Sequence, residues 1–572
     1  MKNVTVAEYL FSRLAELGIT DVFGVPGDFN FNVVTAVEAS QDVRWIGCSN
    51  ELNAGYAADG YARVKGFGAV VTTFGVGELS AMNAIGGSYC EHVPVFHIVG
   101  SPAMSVQNSH RIIHHTLGNG DYEVFKRMSE GIVAGHTMLS ADNAASEIER
   151  LIGIATTQRR PVYISLPTDV CLQPIAERVP RFSPPSPDLL MLREAVSETA
   201  ALIKKAKRPV LIGDGKVARF GLEKAFVALA EKADLPMTTL FMGKGIVDET
   251  HPNFIGTYCG AMIDPEARTI VEAADLVIAV GTILGDTNSA SYSITIDRAK
   301  TIDIQEDHIM VKRARYDDVT MKDVLAALTE AVEPHPGKIP QTVATYGAPE
   351  SQSGQPVNGD NMYQHLQAFV QGGDIIVSET GTISFGAVEF RLPAGATFTC
   401  QALWMSIGWA TPAAFGAAIA APDRRVILLT GDGSHQLTAQ EIGSMIRYGC
   451  NPVVFLLNNQ GYTIERYLCD NMDDPFNDVA SWNYHKLPEA LGGKDCYAAK
   501  VSTTEELAAA LKAARAADTA LSYIECVTFP HDAPKMFRAV RANRAALYNA
   551  PGPEADSKGR PVTPQRVAAC PG

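Results

Sequence analysis

Residues 424–465 read RRVILLTGDGSHQLTAQEIGSMIRYGCNPVVFLLNNQGYTIE, and their pattern decides the fold. Val426 to Leu429 form a short apolar run that ends in Gly431-Asp432-Gly433-Ser434. Leu437, Ile442, Met445 and Ile446 then fall on one face of a helix, and a second apolar run, Val453 to Leu457, delivers Asn458-Asn459 and Gly461. Two fully apolar strands joined by a helix are the unit of a parallel sheet covered by helices. Such sheets present ligands at the carboxyl ends of their strands, so the two strand ends can set Asp432 beside Asn459.

The carboxylate of Asp432, the amide oxygen of Asn459 and the backbone carbonyl of Gly461 make half of an octahedral all-oxygen shell. Diphosphate oxygens and water would complete it, which is the coordination that Mg²⁺ favours. Gly431 and Gly433 allow close backbone approach to an anion, and the amides of Gly433 and Ser434 at a helix start can donate to it. Gly-Asp-Gly and Asn-Asn are each also ordinary turn chemistry. Their pairing at the ends of two successive apolar strands favours the ligand reading.

The same alternation of β-rich runs and helical patterns fills the chain, for example GAVVTTF, ELSAMNAIGGSYCEH and VPVFHIVG near residues 68–100. A chain of 572 residues exceeds what one core supports, so about three domains are expected. Two stretches interrupt the alternation, Pro174 to Pro187 and the Pro-, Gly-, Gln- and Ser-rich Val332 to Val357, and both read as linkers. The expected blocks are residues 1–174, 189–332 and 358–541, each an α/β domain with a central parallel sheet flanked by helices. A polar tail over 551–572 has too little apolar content for a core and is expected to be disordered. The middle block carries GDGKVARFG (213–221), but its spacing does not fit a dinucleotide-binding GxGxxG and no acidic partner stands at the right distance.

Composition excludes several classes. A formal charge of −15 without a Lys/Arg cluster argues against a nucleic-acid partner. No run approaches the roughly 18 apolar residues of a membrane span. Val6, Tyr9, Leu10, Leu14 and Leu17 line one face of a first helix and form no signal peptide, which implies a cytoplasmic address. The ten scattered cysteines include no CxxC pair and read as plain thiols.

With GDG and NN in place, the chain resembles the thiamine diphosphate-dependent decarboxylases of the pyruvate decarboxylase and indolepyruvate decarboxylase family. The resemblance covers all three blocks. Its other motifs are GVPGDFN with Asp28, SNELNAGYAADGYAR with Glu51, IIHHTLG with His114 and His115, SIGWATPAAFG with Ile407, and GYTIE with Glu465. It implies thiamine diphosphate and Mg²⁺ as cofactors, Glu51 hydrogen-bonded to the aminopyrimidine ring to favour the imino tautomer, and Ile407 as the residue over which the cofactor bends. The carbonyl of Met405 would hold the amino group; Met405 departs from the small residue common there, so only its backbone role carries over. Thr382, Gly433, Ser434, Asn459, Tyr462, Thr463 and Ile464 would complete the cofactor site. Asp28, His114, His115 and Glu465 would handle protons. In the family the site lies between two subunits, so a homodimer is the expected minimum and a homotetramer the expected assembly.

The resemblance also bears on the substrate. Thr287 and Ser384 stand where pyruvate-preferring bacterial relatives tend to carry tyrosine and tryptophan, while Ile464 and Leu468 keep aliphatic walls. The loss of two aromatics implies a larger apolar pocket and a bulky 2-oxo acid such as indolepyruvate or phenylpyruvate. Cys469 replaces a frequent histidine. Pyruvate decarboxylation to acetaldehyde is the alternative; a carboligase like acetohydroxyacid synthase, or a cofactor-binding protein without turnover, are further ones.

Overall fold

The computed structural model describes residues 4–176, 179–263 and 265–542. Three sheets organise them, drawing their strands from residues 21–167, 209–317 and 375–527. The first sheet runs in the order Arg44–Gly47, Asp21–Gly24, Gly68–Thr73, Val95–Ser101, Val162–Pro167, Gly135–Met138, all parallel. The third runs Thr397–Cys400, Ile375–Ser378, Val426–Gly431, Val453–Asn458, Ser522–Val527, Tyr497–Val501, again all parallel. Numbered within each domain, both orders are 2-1-3-4-6-5. The inner strands are buried along their length because helices cover both faces, which is why they read as unbroken apolar runs.

The middle sheet has seven strands, parallel from Phe254–Thr257 through Pro209–Gly213 and Leu276–Val280 to Thr301–Ile304. It ends in an antiparallel hairpin, His308–Val311 with Ala314–Asp317. The hairpin extends the parallel sheet that the alternating pattern predicts.

The first and third domains meet through matching helices. Glu51–Lys65 follows the second strand of its domain and Ala410–Ala420 the second strand of its own, and the two pack face to face. A methyl group on Gly60 would collide with the backbone of Ala413, and one on Gly416 with the carbonyl of Ala57. Glycine at both points permits an approach no other residue allows. Ala410–Ala420 is buried all round, consistent with its Ala-rich sequence. The indole N–H of Trp409 donates to Asp59 at 2.9 Å, tying the domains at the same place.

The two linker stretches are docked. Phe182 N–H donates to Glu149 at 2.8 Å; Tyr346 stacks on Tyr363 and donates to the Gly386 carbonyl at 2.9 Å. The helix expected after Gly-Asp-Gly-Ser divides into Asp432–Thr438 and Glu441–Arg447, so Leu437 lies in the last turn of the first piece and is exposed, while Ile442 and Met445 on the second are buried. Nine cysteines are free among the described residues. The tail over 551–572, with Cys570, lies outside the described residues. No described helix is long and apolar enough to cross a membrane.

Candidate active site

A cavity of about 350 Å³ opens at the carboxyl ends of three neighbouring strands of the third sheet, Ile375–Ser378, Val426–Gly431 and Val453–Asn458. In this strand order the chain reverses direction across the sheet between the first two, leaving a crevice where ligands of α/β proteins bind. Its walls are Thr380, Gly381, Thr382 and Ile383 from the first strand end, Gly431 to Ser434 from the second, Leu457, Asn459 and Gly461 to Glu465 from the third, and Ile407. With Gly431 opposite Leu457 in the strand register, Asp432 and Asn459 follow neighbouring strand ends and line the same cavity.

Asp432 is 1% exposed. Its carboxylate accepts the amides of Gly433 at 2.7 Å and Gly461 at 3.1 Å. Burial pushes its carboxyl up to about 6, with the surrounding amides pulling the other way. A buried carboxylate held only by amides is suited to a cation. Mg²⁺ fits this donor set, with Asp432 and Asn459 facing one cavity. The Gly461 amide is taken by Asp432; its carbonyl accepts Thr463 N–H at 3.0 Å and keeps a second lone pair. Gly461 sits at φ +151 with its Cα against the Asn477 carbonyl, so a side chain there is excluded. A side chain on Gly433 would run into the Tyr462 ring. Because the Gly433 amide is already bonded to Asp432, the Ser434 amide is the better placed of the two to meet a phosphate.

Ile407 lies at the cavity wall beside a strained turn: Met405 has φ +56, a left-handed conformation uncommon for a long side chain. The turn is fixed from both sides. Glu91 accepts the amides of Leu403 and Trp404, and the Ser406 hydroxyl meets Tyr56 at 2.6 Å and Asn83 at 2.9 Å. Thr463 spends its hydroxyl on the Pro530 carbonyl, and Glu465 is exposed at the mouth.

The four remaining candidates sit on the first domain. The Asp28 carboxylate and His114 Nε2 are 2.7 Å apart, and His114 stacks on Phe29. His115 has φ +63 and a buried Nδ1 with no partner. Glu51 opens its helix after the Asn50 cap, with a carboxylate oxygen near Gly77. None of Asp28, Glu51, His114 or His115 lines the third-domain cavity of the same chain. Thr287, Ser384 and Leu468 do not line it either. The Ser384 side chain is 2% exposed and its hydroxyl is given to the Gly381 carbonyl; Leu468 packs at the margin of the third-domain core; Thr287 lies against Met405. Sequence reasoning missed Thr380, Gly381 and Ile383. The signal was there: ETGT at 379–382 follows an apolar strand as GDGS does.

Two domains of one topology, one with a buried carboxylate in a strand-end crevice and the other with a glutamate at a helix start, fit the arrangement of a thiamine diphosphate enzyme. Family models agree along the chain: thiamine pyrophosphate enzyme, N-terminal TPP binding domain, at residues 4–122, the central domain at 196–331 and the C-terminal TPP binding domain at 379–526. The chain is 41% identical over 528 residues to a pyruvate decarboxylase of Candida glabrata, covering 88% of this chain and 92% of that one. It is 40% identical over 539 residues to an alpha-keto-acid decarboxylase of Mycolicibacterium paratuberculosis, covering 93% and 95%. The chain belongs to the thiamine diphosphate-dependent 2-oxo acid decarboxylases.

Proposed function

We propose that the protein releases CO₂ and an aldehyde from a bulky, apolar 2-oxo acid such as phenylpyruvate or indolepyruvate, with Mg²⁺ anchored by Asp432, Asn459 and Gly461. The observation that carries the anchor is the convergence of three strand ends on one crevice around a buried carboxylate without a cation partner. Thiamine diphosphate supplies the electron sink into which the carboxylate's electrons pass. The protein's part is to hold and to move protons. Asp432 and Asn459 fix the metal; Ser434 and the helix start meet the diphosphate; the Met405 carbonyl and Ile407 shape the ring end. Glu51 exchanges a proton with the aminopyrimidine, and Asp28, His114, His115 and Glu465 serve the substrate side.

Asp28, Glu51, His114 and His115 do not line the third-domain cavity of their own chain, which supports a homodimer whose sites pair the first domain of one copy with the third of the other, with two such dimers as the full assembly. Mixing Glu51→Gln with Asp432→Ala subunits tests this. A shared site restores about a quarter of the activity, because half of the randomly formed dimers regain one intact site. A site within one chain restores none.

The bulky preference rests on the resemblance alone, by which Thr287 and Ser384 replace two aromatic residues; neither lines the cavity of the single chain. Relative kcat/KM for pyruvate, phenylpyruvate and indolepyruvate, measured by aldehyde release with thiamine diphosphate and Mg²⁺ present, checks it; pyruvate ahead by about tenfold would reverse it. Condensation products without free aldehyde would point to a carboligase. The free thiols fit the reducing cytoplasm.

A further inference from the structure

The middle-domain motif GDGK has no role in the site just described, and its aspartate is the most deeply placed acid of that domain. Asp214 is fully buried at the end of strand Pro209–Gly213. One oxygen accepts two donors from the segment that follows strand Leu276–Val280, Ile283 N–H at 2.9 Å and Asn288 Nδ2 at 2.7 Å. The other oxygen has no partner. Asn288 in turn donates to the Ile283 carbonyl at 2.7 Å and accepts Met242 N–H at 3.0 Å. The ends of the segment are thus pinned together on Asp214, and Leu284 to Thr287 project as a short arch.

That arch lands on the third domain. Gly285 lies against Leu403, and the Thr287 hydroxyl meets the Met405 sulfur at 3.4 Å. Met405 is two residues from Ile407, which forms the cavity wall, and its left-handed backbone leaves the long side chain little freedom of its own. Thr287 thus contacts the side chain of the residue that leads into the Ile407 turn.

We infer that Asp214 is a positioning residue for substrate selection: through the Ile283–Asn288 arch it presses Thr287 onto Met405, and the Met405 side chain limits how large a 2-oxo acid the cavity accepts. This rests on the proposed decarboxylation, and the two fail differently. If the parent enzyme releases no aldehyde from any 2-oxo acid, the proposed function falls. If it does, the arch is tested by the ratio of kcat/KM for phenylpyruvate to that for pyruvate.

Met405→Gly, which keeps the carbonyl and suits the left-handed backbone, raises that ratio about tenfold, the discrimination expected from a few methylenes. Asp214→Ala raises it in the same direction by about threefold, a loss of roughly half of that discrimination. Asp214→Asn restores the parent ratio, because a single amide oxygen can still accept both donors. Asp214→Ala adds nothing in the Met405→Gly background, since the contact through which it acts is gone. Affinity for thiamine diphosphate, titrated without substrate, stays within about twofold in the Asp214 variants, as a site remote from the cofactor requires. Equal losses for both substrates, or additive effects in the double variant, overturn the inference. Should Asp214→Ala fail to fold, Thr287→Ala with and without Met405→Gly runs the same cycle on the arch itself, with the same outcomes for and against.

Discussion

At the crevice of the third sheet Asp432 is 1% exposed with its carboxyl pushed up to about 6, whereas at the matching place of the first sheet the side chains of Asp28 and His114 are 45% and 59% exposed. Both domains have the strand order 2-1-3-4-6-5 and both carry a helix after the second strand that packs on its counterpart. One topology is therefore used twice, and under the proposed function the two copies would serve opposite ends of one cofactor. The third domain encloses a buried carboxylate in its crevice, whereas the first leaves Asp28 and His114 exposed and Glu51 and His115 half-buried. A closed half and an open half are what the proposed two-chain site would need: the anchor must bind tightly, and the proton-handling groups must remain reachable until another surface covers them.

The widest gap between the halves should appear on removing Asp432. Asp432→Ala takes away the carboxylate of the proposed metal shell and is expected to lower kcat/KM by roughly a thousandfold, several kcal/mol of charge stabilisation. It should also abolish retention of thiamine diphosphate through gel filtration. Glu51→Gln on the open half is expected to cost about 10²-fold or more in aldehyde release, the usual worth of a positioned proton-transfer group, while the cofactor stays bound. If Glu51→Gln also loses the cofactor, the division into an anchoring and a proton-handling domain is wrong.

The contact between the matching helices is what holds the two halves in one chain. Gly416→Val would force a branched side chain against the Ala57 carbonyl, and overpacking of this kind costs about 1–3 kcal/mol. A fall in Tm of several degrees, with a normal Glu51→Gln phenotype in the same background, would show that the junction is structural and separable from the chemistry. An unchanged Tm would mean the helices can part without loss.

The shared cavity of Asp432 and Asn459 was legible because its signal is local: the two residues follow consecutive strands, so sequence spacing alone sets them at one crevice. The parallel sheets were legible for the same reason, through apolar runs. The rest depends on contacts between distant segments. Ser384 could be recognised as small but not as buried with its hydroxyl on Gly381, and Thr287, expected in the pocket, does not line it and instead contacts Met405 in another domain. The break after Thr438 escaped notice because Leu437 continues the helical spacing although it faces outward. Asp214 looked like part of a failed nucleotide motif, since nothing near it in sequence reveals that its partners are Ile283 and Asn288.

The smallest effect concerns an acid behind the closed half. Glu379 follows strand Ile375–Ser378, is 1% exposed, and accepts the amides of Thr380, Gly408 and Ala410. Burial pushes its carboxyl from 4.5 to about 8, against the pull of those amides. In the unfolded chain the group releases its proton near 4.5, while in the folded protein it keeps it until about 8. Between those values folding takes up a proton, so this group's contribution to stability is fully present below the lower value and declines as pH rises to the upper one. Glu379→Gln cannot ionise and lacks that decline. The variant should therefore gain on the parent as pH rises, its Tm relative to the parent increasing by roughly a few degrees between pH 5 and 8. Thermal unfolding of both proteins across that range decides the matter: a constant difference would mean that the Glu379 carboxyl is already ionised in the folded state, and that the amides of Gly408 and Ala410 beside the Ile407 turn hold a full charge.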